Sequence, residues 1–212
     1  MIIFGASISP FVRKAVAFAR EKGIDIEHRP VPPHADDEDF KAASPFGKIP
    51  GMIDGDYYLA DSTAIIHYVE AKHPDPALIP NEPQARGRVI WFDKFADTIL
   101  VGGPAGTIFF NRVAAKFFGV EGDLAAADTA EKEGLPPVLD YLEGAIGNRD
   151  WLVGDTLTLA DIAVAGPFKN LEYANTVIDW DAYPETKAYV DRVLARESFA
   201  ELLAMDQAMV GG

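Results

Sequence analysis

Hydrophobic periodicity changes character once along this chain, at a run of prolines. Before His73-Pro74-Asp75-Pro76, short apolar stretches alternate with stretches at helical spacing. After Asn81-Glu82-Pro83 the apolar residues recur at helical spacing almost throughout. Proline lacks a backbone donor and restricts its predecessor, so a proline-rich run between two such patterns reads as a linker. The expectation is an α/β domain over residues 1–74, a linker over 75–82 and an all-helical domain over 83–212.

Ile2 to Gly5 reads as a short strand. Pro10 suits the first position of a helix, and Phe11, Val12, Ala15, Val16, Phe18 and Ala19 continue it until Gly23. Ile24 to Val31 alternates like a strand. The acids Asp36-Asp37-Glu38-Asp39 suit the positive end of a short helix. Asp54-Gly55-Asp56, between Met52-Ile53 and Tyr57-Tyr58-Leu59, signals a hairpin. Ser62 to Lys72 then carries Ala64, Ile65, Tyr68 and Val69 on one helical face. The order βαβ-α-ββα predicts a small mixed sheet with helices around it.

Past the linker a helical segment over 83–118 should split at Gly102-Gly103-Pro104. Further helices are expected near 121–147, 158–173, 184–196 and 197–208. Thr158 three residues before Asp161 is a capping-box variant, with Leu157 placed to staple onto Ile162.

Composition removes several functions. Cysteine is absent, so disulfides, thiolate metal sites and a cysteine nucleophile are excluded, and any thiol must come with the ligand. Acids outnumber bases 33 to 19 without a basic cluster, which disfavours nucleic acid as a partner. No apolar run approaches the ~20 residues that span a bilayer. Met1-Ile2-Ile3-Phe4 enters a strand with no basic leader, so a cytoplasmic protein away from membranes is expected. No His, Asp or Glu spacing suggests a metal.

The stretch Ser44-Pro45-Phe46-Gly47-Lys48-Ile49-Pro50, with Asp61-Ser62 following Pro50 by 11 residues, carries the chemistry. The cis form of an X-Pro bond costs only about 0.5–1 kcal/mol, so Pro50 can turn the N–H and C=O of Ile49 toward an extended peptide. Asp61 and Ser62 at a helix start offer a carboxylate and donors to a free amino-acid end. Together with Ser9-Pro10-Phe11-Val12-Arg13-Lys14, the string Gly154 to Asp161, and Trp180-Asp181-Ala182-Tyr183-Pro184, this region resembles the glutathione S-transferase family. The resemblance covers essentially the whole chain and points to serine-type, bacterial or tau/omega-like cytosolic members.

That resemblance implies a thioredoxin-like N-terminal domain followed by an all-helical one. It implies glutathione as co-substrate, with Lys48 at the glycyl carboxylate, Ile49 and Pro50 at the cysteinyl part, and Asp61 and Ser62 at the γ-glutamyl end. Arg13 would help Lys48 offset the acidic chain, and His34 is expected as an exposed loop residue. Ser9 is the expected thiol activator, with Ser7 as rival; alternatively Ser9 merely caps the helix and a backbone N–H serves. A free thiol of pKa near 8.5 is about 3% ionised at pH 7. Lowering that pKa by about 2 needs roughly 2.7 kcal/mol. A charge-assisted hydrogen bond of about 1.5–3 kcal/mol and a helix-dipole contribution of about 0.3–1 kcal/mol together reach it.

The family's second pocket would draw on Ile8, Phe11, Thr107, Phe109, Phe110 and Arg112 and take a hydrophobic electrophile, in a detoxifying role. A homodimer is implied through the helices that follow residues 62 and 83, with Asp93 or Asp97 reaching the partner's glutathione. The other readings are a non-catalytic binding or scaffold protein, or a glutathione-dependent peroxidase or ether-cleaving enzyme.

Overall fold

The computed structural model describes residues 1–211. In chain order the elements are β1 (Ile2–Phe4), α1 (Pro10–Glu21), β2 (Glu27–Arg29), α2 (Glu38–Ala43), β3 (Gly51–Asp54), β4 (Tyr57–Ala60) and α3 (Ser62–Lys72). Then follow α4 (Pro83–Lys94), α5 (Pro104–Arg112), α6 (Leu124–Thr129), α7 (Leu135–Ile146), α8 (Leu159–Tyr173), α9 (Pro184–Leu194) and α10 (Glu197–Val210). The chain forms two compact units: residues 1–79 with 196–211, and residues 80–195. The last helix therefore packs with the first unit, whereas the sequence pattern assigns it to the helical domain.

The first unit is thioredoxin-like. Its sheet runs β2-β1-β3-β4, with β1 and β2 parallel and the remaining pairs antiparallel. Side chains alternate across a strand, so Ile2, Phe4, Ile49 and Ile53 meet Phe40 and Ala43 of α2 on one face. Ile3 and Met52, paired in register and fully buried, point to the other face, where α1 packs on α3. α1 is held on its far side by α10.

β2 is shorter than the predicted Ile24–Val31. The N–H of Ile24 still caps α1 by donating to the carbonyl of Ala19 (3.1 Å). Beyond Arg29, Pro30 has no N–H to add to the ladder. The predicted hairpin closes through Asp54 opposite Tyr57, and α2 is capped by Asp37, whose Oδ1 accepts from the N–H of Phe40 (2.8 Å).

The second unit is all helical. After α4 the helix widens into a π turn over Phe95–Leu100 and breaks at Gly102-Gly103-Pro104, where the predicted split lies. A Cβ on Gly102 would sit 2.6 Å from the carbonyl oxygen of Thr98, so this tight exit needs glycine. A 3-10 turn over Ala114–Phe118 follows α5, and a second π turn over Ala130–Gly134 joins α6 to α7. α8 packs on α4, α5 and α9 and is buried on nearly every side.

The start of α8 is fixed by one side chain. Asp161 is fully buried, and its carboxylate accepts from the N–H of Leu152 (2.9 Å), the N–H of Thr158 (2.8 Å) and the Thr158 hydroxyl (3.1 Å). Burial pushes its pKa up, and these bonds act in the opposite direction. Removing the carboxylate orphans two buried backbone donors, each worth about 1–3 kcal/mol. D161A should therefore lose about 2–4 kcal/mol in urea unfolding. A midpoint equal to wild type would deny Asp161 this role.

Candidate functional site

Strand register builds the site. Phe4 lies opposite Gly51, and Gly51 lies opposite Ala60. Gly5, Pro50 and Asp61, one step beyond each, therefore leave the sheet side by side at the same end, with neighbouring strands about 4.8 Å apart. Helix α1 begins a few residues after Gly5 and α3 directly after Asp61, and neither has an acid within its first turn. Two helix N-termini thus start from one end of one sheet. Helix N-termini carry partial positive charge, which at α3 is partly offset by the Asp61 carboxylate at its N-cap.

Ser9 is the N-cap residue of α1, with an extended backbone (φ −70°, ψ 122°), yet its hydroxyl makes no capping bond. Among the described residues that hydroxyl has no hydrogen-bond partner, and the side chain is half-buried. The Ser9 backbone is held from both sides. Its N–H donates to Ala6 (3.1 Å), and its carbonyl accepts from the N–H of Arg13 (2.9 Å). Ser7 differs: it is buried, and its hydroxyl donates to Oδ1 of Asp206 on α10 (2.6 Å).

Arg13 does not serve as a cation for a ligand. Its side chain is fully buried, and Nε (3.2 Å) and Nη2 (2.7 Å) donate to Oδ2 of Asp206. Helical spacing turns this position inward onto α10, so the expectation that Arg13 offsets the acidic chain is corrected.

The bond between Ile49 and Pro50 is cis. Lys48 is exposed and forms no ion pair among the described residues, while its carbonyl accepts from the Ser44 hydroxyl (2.6 Å). His34 is exposed, and its N–H donates to the carbonyl of Gly47 (2.8 Å), which pins one loop to the other. Asp61 has φ +79°, a conformation that costs about 1–3 kcal/mol in a non-glycine residue. Its Oδ1 accepts from the N–H of Ala64 (3.0 Å), and Ser62 beside it is buried.

Ile8 is buried and Phe11 half-buried, both in the first unit next to Ser9. In the second unit the Thr107 hydroxyl donates to the carbonyl of Gly103 (3.0 Å) and Phe109 is half-buried. Phe110 is 43% exposed, with its ring 6.2 Å from that of Phe118. The guanidinium of Arg112, expected at a pocket, is held by Asp128 (2.8 Å) and Glu131 instead. Asp93 is fully buried, which corrects its expected reach toward a partner; Asp97 is paired with Lys94 (2.8 Å).

Sequence reasoning passed over Asp206 and His28. His28 contacts the carbonyl of Gly5 through Nε2 (2.8 Å). Burial lowers its pKa and the Gly5 bond raises it, with the net below the ordinary imidazole value. A neutral ring bonded to a carbonyl donates from Nε2. No local pattern marks Asp206, whose partners lie 193 and 199 positions away.

Residues 3–77 match the glutathione S-transferase N-terminal domain family and residues 107–197 the corresponding C-terminal domain family. The chain is 30% identical over 214 residues to a glutathione S-transferase of Hyoscyamus muticus, covering 98% of this chain and 99% of that one. A glutathione S-transferase structure from Rhodospirillum rubrum superposes with a TM-score of 0.86 at 26% identity, over 95% of this chain and 90% of that one. Maize glutathione S-transferase I, in complex with an atrazine glutathione conjugate, superposes with a TM-score of 0.84 at 25% identity over 96% of each chain.

Gly5 is the residue on which the loop geometry turns. Its φ is +130°, and a Cβ there would lie 2.6 Å from Cγ2 of Val12 and 2.9 Å from Cβ of Ile49. G5A should therefore cost about 2–4 kcal/mol in thermal or urea unfolding, from strain and overpacking together. Wild-type stability in G5A would mean that the loop has room it lacks here.

Proposed function

The chain belongs to the glutathione S-transferase family, and from that premise we propose that Ser9 activates the thiol of bound glutathione for attack on a hydrophobic electrophile. The observation that carries the reading is the sheet register, which lines up the Ser9 loop, Ile49 and Asp61-Ser62 at one end. Those segments offer what an extended tripeptide with two carboxylates, one ammonium and one thiol requires. Asp61 takes the ammonium, and Ser62 with the first turn of α3 takes the γ-glutamyl carboxylate. Ile49 pairs its backbone with the cysteinyl residue, and Lys48 faces the glycyl carboxylate.

The thiol then lies against Ser9 at the start of α1. The Ser9 hydroxyl donates to sulfur, the helix N-terminus favours negative charge, and the thiol proton leaves to solvent. The thiolate lone pair forms the carbon–sulfur bond as the leaving group departs, or as the electrons of an activated double bond shift away. Ile8 and Phe11 supply apolar surface beside the sulfur, which favours a hydrophobic second substrate. The conjugate held by the maize relative is of this kind. A cytoplasmic homodimer with a detoxifying role completes the reading; a monomer by light scattering would count against the dimer.

The test is an ultraviolet difference titration of glutathione thiolate with the protein between pH 5 and 9. Wild type should lower the thiol pKa by about 2 and S9A should return most of it. Glutathione that titrates at its free value in wild type sinks the reading. K48A, which removes one exposed charge contact, should raise KM for glutathione about 3–10-fold and leave kcat nearly unchanged. A kcat loss with KM unchanged would instead mean that Lys48 acts only in the transition state.

A further inference from the structure

We propose that Asp206, on α10, is a positioning residue that holds the Ser9 loop in its thiol-activating conformation. The inference rests on the Ser9 reading and adds the group that sets where the hydroxyl sits. Asp206 is fully buried and uses both carboxylate oxygens on the segment around Ser9. Oδ1 accepts from the hydroxyl of Ser7, two residues before Ser9 (2.6 Å). Oδ2 accepts from Nε and Nη2 of Arg13, in the first turn of α1 (3.2 and 2.7 Å). The backbone N–H of Arg13 in turn donates to the Ser9 carbonyl (2.9 Å). One carboxylate thus grips the chain on both sides of Ser9, and neither grip uses the Ser9 hydroxyl.

A second tether lies at the base of the loop, where His28 holds the carbonyl of Gly5 (2.8 Å). The loop from Gly5 to Ser9 is therefore fixed at its base and its middle, and its far end runs into the turn of α1 that Arg13 anchors. A buried ion pair adds little net stability over apolar packing of equal volume, because desolvation offsets its attraction. Its directional bonds fix position. Position is what thiol activation requires, since a hydrogen bond weakens steeply once its angle closes, and misplacement of about 1 Å can cost on the order of 100-fold in rate.

The experiment compares wild type, S7A and D206N by the same thiolate titration. It adds kcat and KM with an activated chloronitroarene, and thermal unfolding. S7A removes the loop contact and leaves the Asp206–Arg13 pair intact, so it decides the matter even if D206N does not fold. Each variant should lower the bound thiolate fraction at pH 6.5 and kcat by roughly five-fold, the effect of a rise of about one in a thiol pKa that starts near that pH. KM for glutathione should stay within about three-fold, because the tripeptide contacts are untouched. Variants that melt earlier yet keep the wild-type thiolate fraction and kcat overturn the proposal and leave Asp206 a purely structural residue. If wild type itself leaves the thiol at its free pKa, the Ser9 reading fails first and takes this inference with it; that result appears before any variant is compared.

Discussion

The register between β1, β3 and β4 is the constraint on which the rest of the site depends. Phe4, Gly51 and Ala60 stand in one row across the sheet. A slip of one residue would turn Ile3 and Met52 toward α2 and bring Phe4 under α1. Burial on both faces forbids that slip: Phe4, Ile3, Met52 and Phe40 are all fully enclosed, each side chain worth about 1.5–3 kcal/mol. The hydrophobic core thereby decides that Gly5, Pro50 and Asp61 emerge together. Positions with no apolar contribution of their own are placed by residues that have one.

Two of the three non-glycine residues at positive φ lie in the first unit, and the third, Asn175, follows α8. Asp61 and His34 take positive φ without being glycine, and Gly5 takes it where no side chain would fit. Each is held by specific bonds, Asp61 to the N–H of Ala64 and His34 to the carbonyl of Gly47. The helical unit places its special arrangements elsewhere, at the capping carboxylate of Asp161 and at Glu143. Glu143 accepts from the N–H groups of Glu185 and Thr186 and from the Thr186 hydroxyl, and so fixes the start of α9. These are ends of helices held in place.

What could be read in advance was local. Pro10 and Pro184 open helices, Asp54-Gly55-Asp56 turns a hairpin, and Thr158 with Asp161 starts α8, because each signal acts within a few residues of itself. The Pro50 and Asp61 segments were legible for the same reason. Arg13 was misread because a basic residue beside a loop looks available, and only the packing of α10 shows it facing inward. Ser9 is preferred to Ser7 in the sequence because it directly precedes Pro10, whereas the engagement of the Ser7 hydroxyl by an acceptor 199 positions away lies outside any sequence window. Arg112 and Asp93 likewise found partners or burial that no sequence window contains. The π turn over Phe95–Leu100 was hidden because one residue inserted into a helix leaves the apolar pattern nearly intact.

The placement of α10 in the first unit has a consequence for biosynthesis. A chain made from its N-terminus releases Arg13 early. The carboxylate that neutralises it is translated 193 residues later. Until then the guanidinium would either stay in water, leaving α1 loosely docked, or enter the interior uncompensated at a cost of several kcal/mol. Vectorial folding of the first unit is therefore gated by its own last helix. A nascent chain stalled before residue 206 carries a complete sheet but an unfinished charge pair, and the start of α1 matures only after the intervening helical unit has been translated.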